Sequence, residues 1–359
     1  MPLWLKRESN RTINVIKERH KRCSLSKRAA PLVSLFSYIY MKLNVLRYLA
    51  LIGSMVVAST LQAQTIIPLQ RGQGGVRGKT IDDYKREQHT DKREQSDSLT
   101  YIDNLRRAFN ALYADSLSQA ESLFNEALKL RPTAEGNHII KYNLGLVDMA
   151  RGQNVQAVEK LTAVIKDYPN YFDARLARAE ANLQLGRAAE AQDDAQQVLD
   201  QPGLDGITPE LLERARFVRA AARYQLRLFT EAHADLQHIV SANPQNTNAQ
   251  ILDALTLQQM GQPKEALNRL NLIVSAHPDM VDALSTRAAV ESELNMPALA
   301  RADYDRLIEL QPNESAYYIE RAKMLLQLGE KKAARADLDK AIKLGVPQGM
   351  VQPLLLQAK

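Results

Sequence analysis

The sequence predicts an all-α chain assembled from about seven consecutive helix-turn-helix units, and three observations predict it. The first is composition: of 359 residues 45% are hydrophobic, yet only six are Phe and one is Trp, which favours helices packed through small and aliphatic side chains over an aromatic β-core. The second is a lattice of small residues. Ala120, Ala157, Ala191, Ala232, Ala266, Ala300 and Ala334 lie 37, 34, 41, 34, 34 and 34 residues apart, and Ala108, Gly145, Ala179, Ala220, Ala254, Ala288 and Ala322 stand twelve residues before each. The third is punctuation. Pro132, Pro169, Pro244, Pro278 and Pro312 follow five of the Ala positions by twelve residues, and Gly152, Gly186, Gly261 and Gly329 precede four of them by five. A 34-residue period marks an architecture whose units complete their cores against their neighbours; here Gly turns the chain after a first helix and Pro stops a second.

The N-terminus reads differently. Residues 1–64 hold 11 Lys/Arg against 2 Asp/Glu and the remaining 295 hold 36 against 39, so the net charge of +6 belongs to the N-terminal piece. The body therefore has no electrostatic case for binding nucleic acid. From Met41 the chain runs MKLNVLRYLALIGSMVVASTLQAQ, a short basic stretch, about 14 apolar residues and a small-residue end around Ala63, which predicts a signal peptide over 41–64. A retained membrane anchor is the rival, but a span needs roughly 20 apolar residues. Residues 1–40 carry nine Lys/Arg and read as an upstream extension from a start assigned too early, with Met41 as the true beginning. The single cysteine, Cys23, excludes an internal disulfide and any cysteine metal site, and no cysteine follows the apolar stretch to receive a lipid. The Leu-Gln-Ala-Gln end is similar to signal sequences of Gram-negative bacteria of the Bacteroidetes type, so the expected location is the periplasm or the outside of the cell.

Residues 65–98 mix Gly, Gln and both signs of charge without apolar periodicity, and are expected to be a disordered or weakly helical linker. Within it GQGGVRGKT invites comparison with a phosphate-binding loop. Gly78-Lys79-Thr80 would need Gly at position 73, which is Gln73, and neither a strand before nor a helix directly after it is foreseen.

Units such as KYNLGLVDMARGQNVQAVEKLTAVIKDYP (141–169) and YYIERAKMLLQLGEKKAARADLDKAIKLG (317–345) resemble the tetratricopeptide repeat family. In that register seven repeats begin near Tyr101, His138, Phe172, Glu213, Thr247, Val281 and Ser315 and fill 101–348 (101–134, 138–171, 172–205, 213–246, 247–280, 281–314 and 315–348), leaving 349–359 as a C-terminal tail. The resemblance implies a right-handed α-solenoid whose first helices line a concave groove. Three extra residues follow repeat 1. Seven follow repeat 3, where Asp200–Glu210 should project as a loop before Thr208 and Pro209 cap and start the next helix.

Chemistry finds no constellation. His89, His138, His233, His238 and His277 are dispersed, and His233 and His238 share no helix face, so no metal, cofactor or catalytic residue is expected. Glu291 and Glu293 point differently and suit a solvated face. One regularity goes further: at repeat position 7 stand Arg178, Arg219, Arg287 and Arg321, and sixteen residues later Asp194, Asp235, Asp303 and Asp337, while repeat 5 swaps the pair as Asp253 and Arg269. Reversal of both signs together predicts contact across two helices rather than an anion-binding ladder of arginines.

The partner surface is implied by the resemblance through repeat positions 2, 5, 9, 12 and 13. Carried over, these make Phe109, Tyr113, Tyr142, Leu146, Gln184, Arg214, Phe217, Tyr224 and Gln225 the candidate contacts, concentrated on repeats 1 to 4, with five rings expected to keep solvent exposure. The family's clamp for acidic tails needs Lys and Asn where this chain has Leu105, Phe109, Tyr142 and Leu146, so that clamp is not expected. The expected function is a non-enzymatic scaffold of the cell envelope that binds a peptide or protein partner, with no nucleic acid, metal or cofactor. The rival readings are a membrane-tethered assembly or secretion factor, and a regulatory subunit of an enzyme or sensor complex.

Overall fold

A computed structural model describes residues 81–204 and 206–359, so the expectations for 1–40, 41–64 and 65–80 lie outside the described residues. The described chain is helical throughout and divides into two compact units, 81–218 and 219–359. The first holds α1 (Ile81–Tyr113), α2 (Leu117–Leu130), α3 (Asn137–Ala150), α4 (Asn154–Asp167), α5 (Phe172–Gln184), α6 (Ala188–Leu199) and most of α7 (Pro209–Gln225). The second holds the end of α7, then α8 (Phe229–Ala242), α9 (Thr247–Gln259), α10 (Pro263–Ala276), α11 (Val281–Glu293), α12 (Pro297–Leu310), α13 (Ser315–Gln327), α14 (Lys331–Lys343) and α15 (Gln348–Gln357).

Each helical hairpin turns in one way. The residue at repeat position 15 has positive φ in all seven repeats: Gly152, Gly186, Gly261 and Gly329 supply it with no side chain to clash, and Asp115, Arg227 and Asn295 adopt it at φ 65°, 62° and 56°. The second helices end equally uniformly. Arg131, Tyr168, Asn243, His277 and Gln311 each precede a proline and have φ between −133° and −136°, because the proline ring drives the residue before it out of the helical region.

The small-residue lattice sits where the two helices of a hairpin cross. Ala108, Ala120, Ala157, Ala179, Ala191, Ala220, Ala232 and their counterparts are fully buried. At Gly145 the approach is tightest: a Cβ there would lie 2.9 Å from Cγ of Leu161, so α3 meets α4 at a distance only glycine permits without displacement. Consecutive helices pack along each unit, and first helices also touch one another, α3 with α5 and α9 with α11.

Two segments differ from expectation. Residues 81–98, read as a disordered or weakly helical linker, are helical and continue into repeat 1, and Arg131 donates back to Ser98 at 3.1 Å. Residues 348–357, read as tail, form α15, which buries Val351 and Leu355 against Ala322, Leu325, Ala334 and Leu338 of the last hairpin. Both segments lack a 34-residue partner in the sequence; 81–98 holds few apolar residues, and Pro353 interrupts the apolar run of 348–357. The insertion at 200–210 behaves as foreseen at its end: the Leu211 N–H donates to Thr208 Oγ1 at 3.2 Å, opening α7 at Pro209.

Candidate functional site

The Arg–Asp regularity is a set of interhelical clasps. Arg178 grips Asp194 with Nε and Nη2 at 2.8 and 2.6 Å, Arg219 grips Asp235 at 2.9 and 2.5 Å, Arg287 grips Asp303 at 2.8 and 2.6 Å, and Arg321 grips Asp337 at 2.8 and 2.7 Å. In repeat 5 the roles invert and Arg269 of α10 donates to Asp253 of α9. The forked guanidinium matches two carboxylate oxygens, so each clasp fixes the orientation of a first helix on its second.

A third position, sixteen residues before the first, was not foreseen. Arg178 also donates to Thr162 at 3.1 Å, Arg287 to Asn271 at 3.1 Å and Arg321 to Asp305 at 2.7 Å, each on the second helix of the preceding repeat. Where repeat 5 inverts, this position inverts too. Asp253, 0% exposed, accepts from Gln237 at 2.8 Å and lies 2.6 Å from Nδ1 of His233, so donors replace acceptors along with the clasp. His233 thus satisfies a buried carboxylate. The clasps of repeats 3, 5, 6 and 7 therefore each join three helices of two successive repeats, whereas the position sixteen before Arg219 is Gly203 of the 200–210 loop. Hydrogen bonds to Asp337 and Asp305 hold the Arg321 guanidinium above its ordinary range.

Repeat position 11 of the first helix faces the second-helix end of the clasp, repeat position 23. In repeat 2 Asp148 pairs there with Lys160 at 2.6 Å, and in repeat 4 Arg223 adds a second cation to Asp235 at 2.7 Å. In repeat 6 the residue is Glu291, which is 4% exposed rather than on a solvated face, while Glu293 is exposed and accepts from Gln258 of α9.

The candidate partner contacts divide by exposure. Phe109, Tyr142, Leu146, Arg214 and Phe217 are buried, Tyr113, Gln184 and Tyr224 are half-buried, and Gln225 is exposed. Three of the five rings therefore fail the expectation of exposure. Phe109 packs edge-on against Phe124 of α2 with centroids 5.2 Å apart, and Tyr142 meets Tyr171 at 5.2 Å, so both belong to the core of the first unit. Arg214, expected to hold a peptide backbone, instead forms a buried two-point ion pair with Glu180 of the preceding repeat at 2.7 and 2.8 Å. The pair ties α7 to α5 in the first unit. Beside the buried rings lies an aromatic cluster the register did not single out: His138 stacks 4.3 Å from Tyr168 and meets Tyr171 edge-on at 5.3 Å. Tyr224 contacts Phe229 at 5.6 Å, and burial raises its phenol pKa.

Among the described residues no group of His, Cys, Asp and Glu is arranged to hold a metal ion, and no helix is long and apolar enough to cross a membrane.

Comparison with known proteins agrees with this geometry. A sequence model of the tetratricopeptide repeat matches residues 142–203 and 287–345. The crystal structure of a tetratricopeptide repeat protein from Parabacteroides merdae superposes with a TM-score of 0.58 at 21% identity, covering 72% of this chain and 99% of that one. A thermophilic protein of the same repeat type from Thermus thermophilus aligns over 53% of this chain at 19% identity with a TM-score of 0.46. DnaJ homolog subfamily C member 3 of Rattus norvegicus is 28% identical over 169 residues, which are 44% of this chain and about a third of that protein's length. The fold is an all-α array of tetratricopeptide repeats.

Proposed function

We propose that this array of tetratricopeptide repeats is a non-enzymatic scaffold that holds a peptide or protein partner on its first-helix face, in the cell envelope. Such arrays generally mediate protein–protein interaction. The observation that carries the reading is the register of neighbouring first helices: Arg214 reaches Glu180 across 34 residues and Gln258 reaches Glu293 across 35, so in each unit side chains one repeat apart meet across adjacent first helices. Register at one-repeat spacing suits an extended segment better than a small molecule. Because Phe109, Tyr142, Leu146, Arg214 and Phe217 are committed to packing, the contacts fall to Tyr113 and Gln184 in the first unit, which also carries the stack of half-buried His138 and Tyr171 with exposed Tyr168, and to Tyr224 and Gln225 in the second. Tyrosine and glutamine supply contact area and hydrogen bonds for a modest loss of side-chain freedom.

Export rests on the sequence from Met41 to Gln64. N-terminal sequencing of the native protein should find a chain beginning near Gln64; a membrane-bound form still carrying Met41 would support the tethered assembly factor instead. The binding face is tested by screening a displayed peptide library against the full chain, then against Tyr224→Ala/Gln225→Ala and Tyr113→Ala/Gln184→Ala. Selected peptides should lose at least tenfold in affinity to one double variant while its helical content is retained, about 1.4 kcal/mol. Unchanged affinity for both would remove the first-helix face from the proposal.

A further inference from the structure

Repeat 6 carries a buried charge imbalance that the other clasps do not: in repeat 7, where Arg321 also meets two carboxylates, the Asp305 side chain is 43% exposed. Its single guanidinium, Arg287, is committed to Asp303, and it also donates to Asn271. Glu291, one turn further along α11, reaches Arg287 only at 3.9 Å, and its Oε2 is buried with no hydrogen-bond partner. The corresponding residues show how the site is normally balanced: Asp148 has Lys160, Arg223 has Asp235, and repeats 5 and 7 place Leu257 and Leu325 there. Two buried carboxylates sharing one guanidinium cannot both remain ionised at little cost. The remaining groups make the surroundings no kinder to charge. From α12 come Asp303 and Tyr304, and α13 contributes Tyr317 and Glu320, which act on Tyr304 with the same sign.

We propose that Glu291 is a proton-binding joint in repeat 6, carrying a proton when α11 is packed tightly on α12 and loosening that contact when the proton leaves. Protonation turns Oε2 or its partner oxygen into a donor beside Asp303 and removes the repulsion between the two carboxylates. Burial, then the Asp303 charge, push the Glu291 carboxyl up to about 7 against the ordinary 4.5, and Arg287 pulls only weakly the other way. Since α11 also carries Asp282, Ser285 and Glu293, all on the partner face by their register, the proton sets how firmly part of that face is held.

The direction of the effect follows from linkage. Between 4.5 and about 7 the folded chain holds a proton that the unfolded chain has released. Stability contributed at Glu291 is therefore lost as pH rises through that window and is level above it. The test measures thermal unfolding of the full chain against Glu291→Gln and Glu291→Leu at a series of pH values from about 5 to about 8. Leucine is the residue repeats 5 and 7 use, so it keeps the fold readable if the glutamine variant is poorly folded. The wild type should lose several degrees of midpoint relative to each variant across this range, and amide protection factors in α11 and α12, taken relative to the intrinsic exchange rate at each pH, should fall in the wild type alone. Parallel pH profiles for wild type and both variants would overturn the proposal, as would a Glu291 carboxyl titrating near 4.5 by carbon-13 NMR.

Discussion

Asp253 is the residue on which the polarity of the array turns. It is fully buried on α9 and receives Arg269, Gln237 and His233, three donors from two other helices. Asp253→Ala strands them together and should cost about 2–3 kcal/mol, seen as a lower urea midpoint with unchanged slope. Exchanging the pair, Asp253→Arg with Arg269→Asp, restores the consensus clasp but aims a guanidinium at two donors of the preceding repeat. It should regain less than half of that loss, and adding Gln237→Asp should recover more. Full recovery by the exchange alone would show that the third position is irrelevant. The clasp was legible in the sequence because two signs reversed together at fixed spacing. The third position was not, because Thr162, Gln237, Asn271 and Asp305 share hydrogen-bonding ability rather than residue type. Glu291 misled for a related reason: charge alone says surface, and only the crossing of α11 over α12 makes the site dry.

At the scale of the element, the turn between paired helices demands a left-handed residue regardless of what the sequence supplies. Arg227 meets that demand at φ 62° although its Cβ crowds the backbone there, at a cost of about 1–2 kcal/mol. Arg227→Gly removes the crowding and adds unfolded-state entropy worth about 0.5–1 kcal/mol, so a net gain of up to roughly 1 kcal/mol is expected by urea titration. A loss would mean that the Arg227 side chain contributes more than its conformation costs. Gly145 is the converse case. Ala would improve helix propensity by about 1 kcal/mol, but its Cβ would meet the buried Leu161 at 2.9 Å, and overpacking of that kind costs about 1–3 kcal/mol. Gly145→Ala should therefore be neutral to destabilising, and Gly145→Ala/Leu161→Val should be the better tolerated. Helix ends were readable because glycine and proline act locally. Which groove-register rings would face solvent was not, since that depends on neighbours such as Phe124 and Tyr171 that lie on other helices.

At the scale of the whole chain, an array of repeats has no centre, so its ends carry the risk that a globular core spreads over its surface. Within the unit 219–359, α15 closes the last hairpin with Val351 and Leu355 buried, while its other side leaves Met350 and Leu356 largely exposed. Pro353 lies inside this ten-residue helix, so α15 owes its order to docking more than to its own propensity. Replacing Val351 and Leu355 by Ala removes apolar groups from a closed contact and should cost about 3–5 kcal/mol locally. Because repeats are coupled chiefly to their neighbours, that loss should not lower one global midpoint uniformly. It should separate an early transition confined to α13, α14 and α15, visible as loss of amide protection there while α9 and α10 remain protected. Concentration-dependent association should accompany it, since Ala322, Leu325 and Leu338 would then face water. A single shifted transition with uniform loss of protection would instead mean that repeats 5 to 7 unfold as one block.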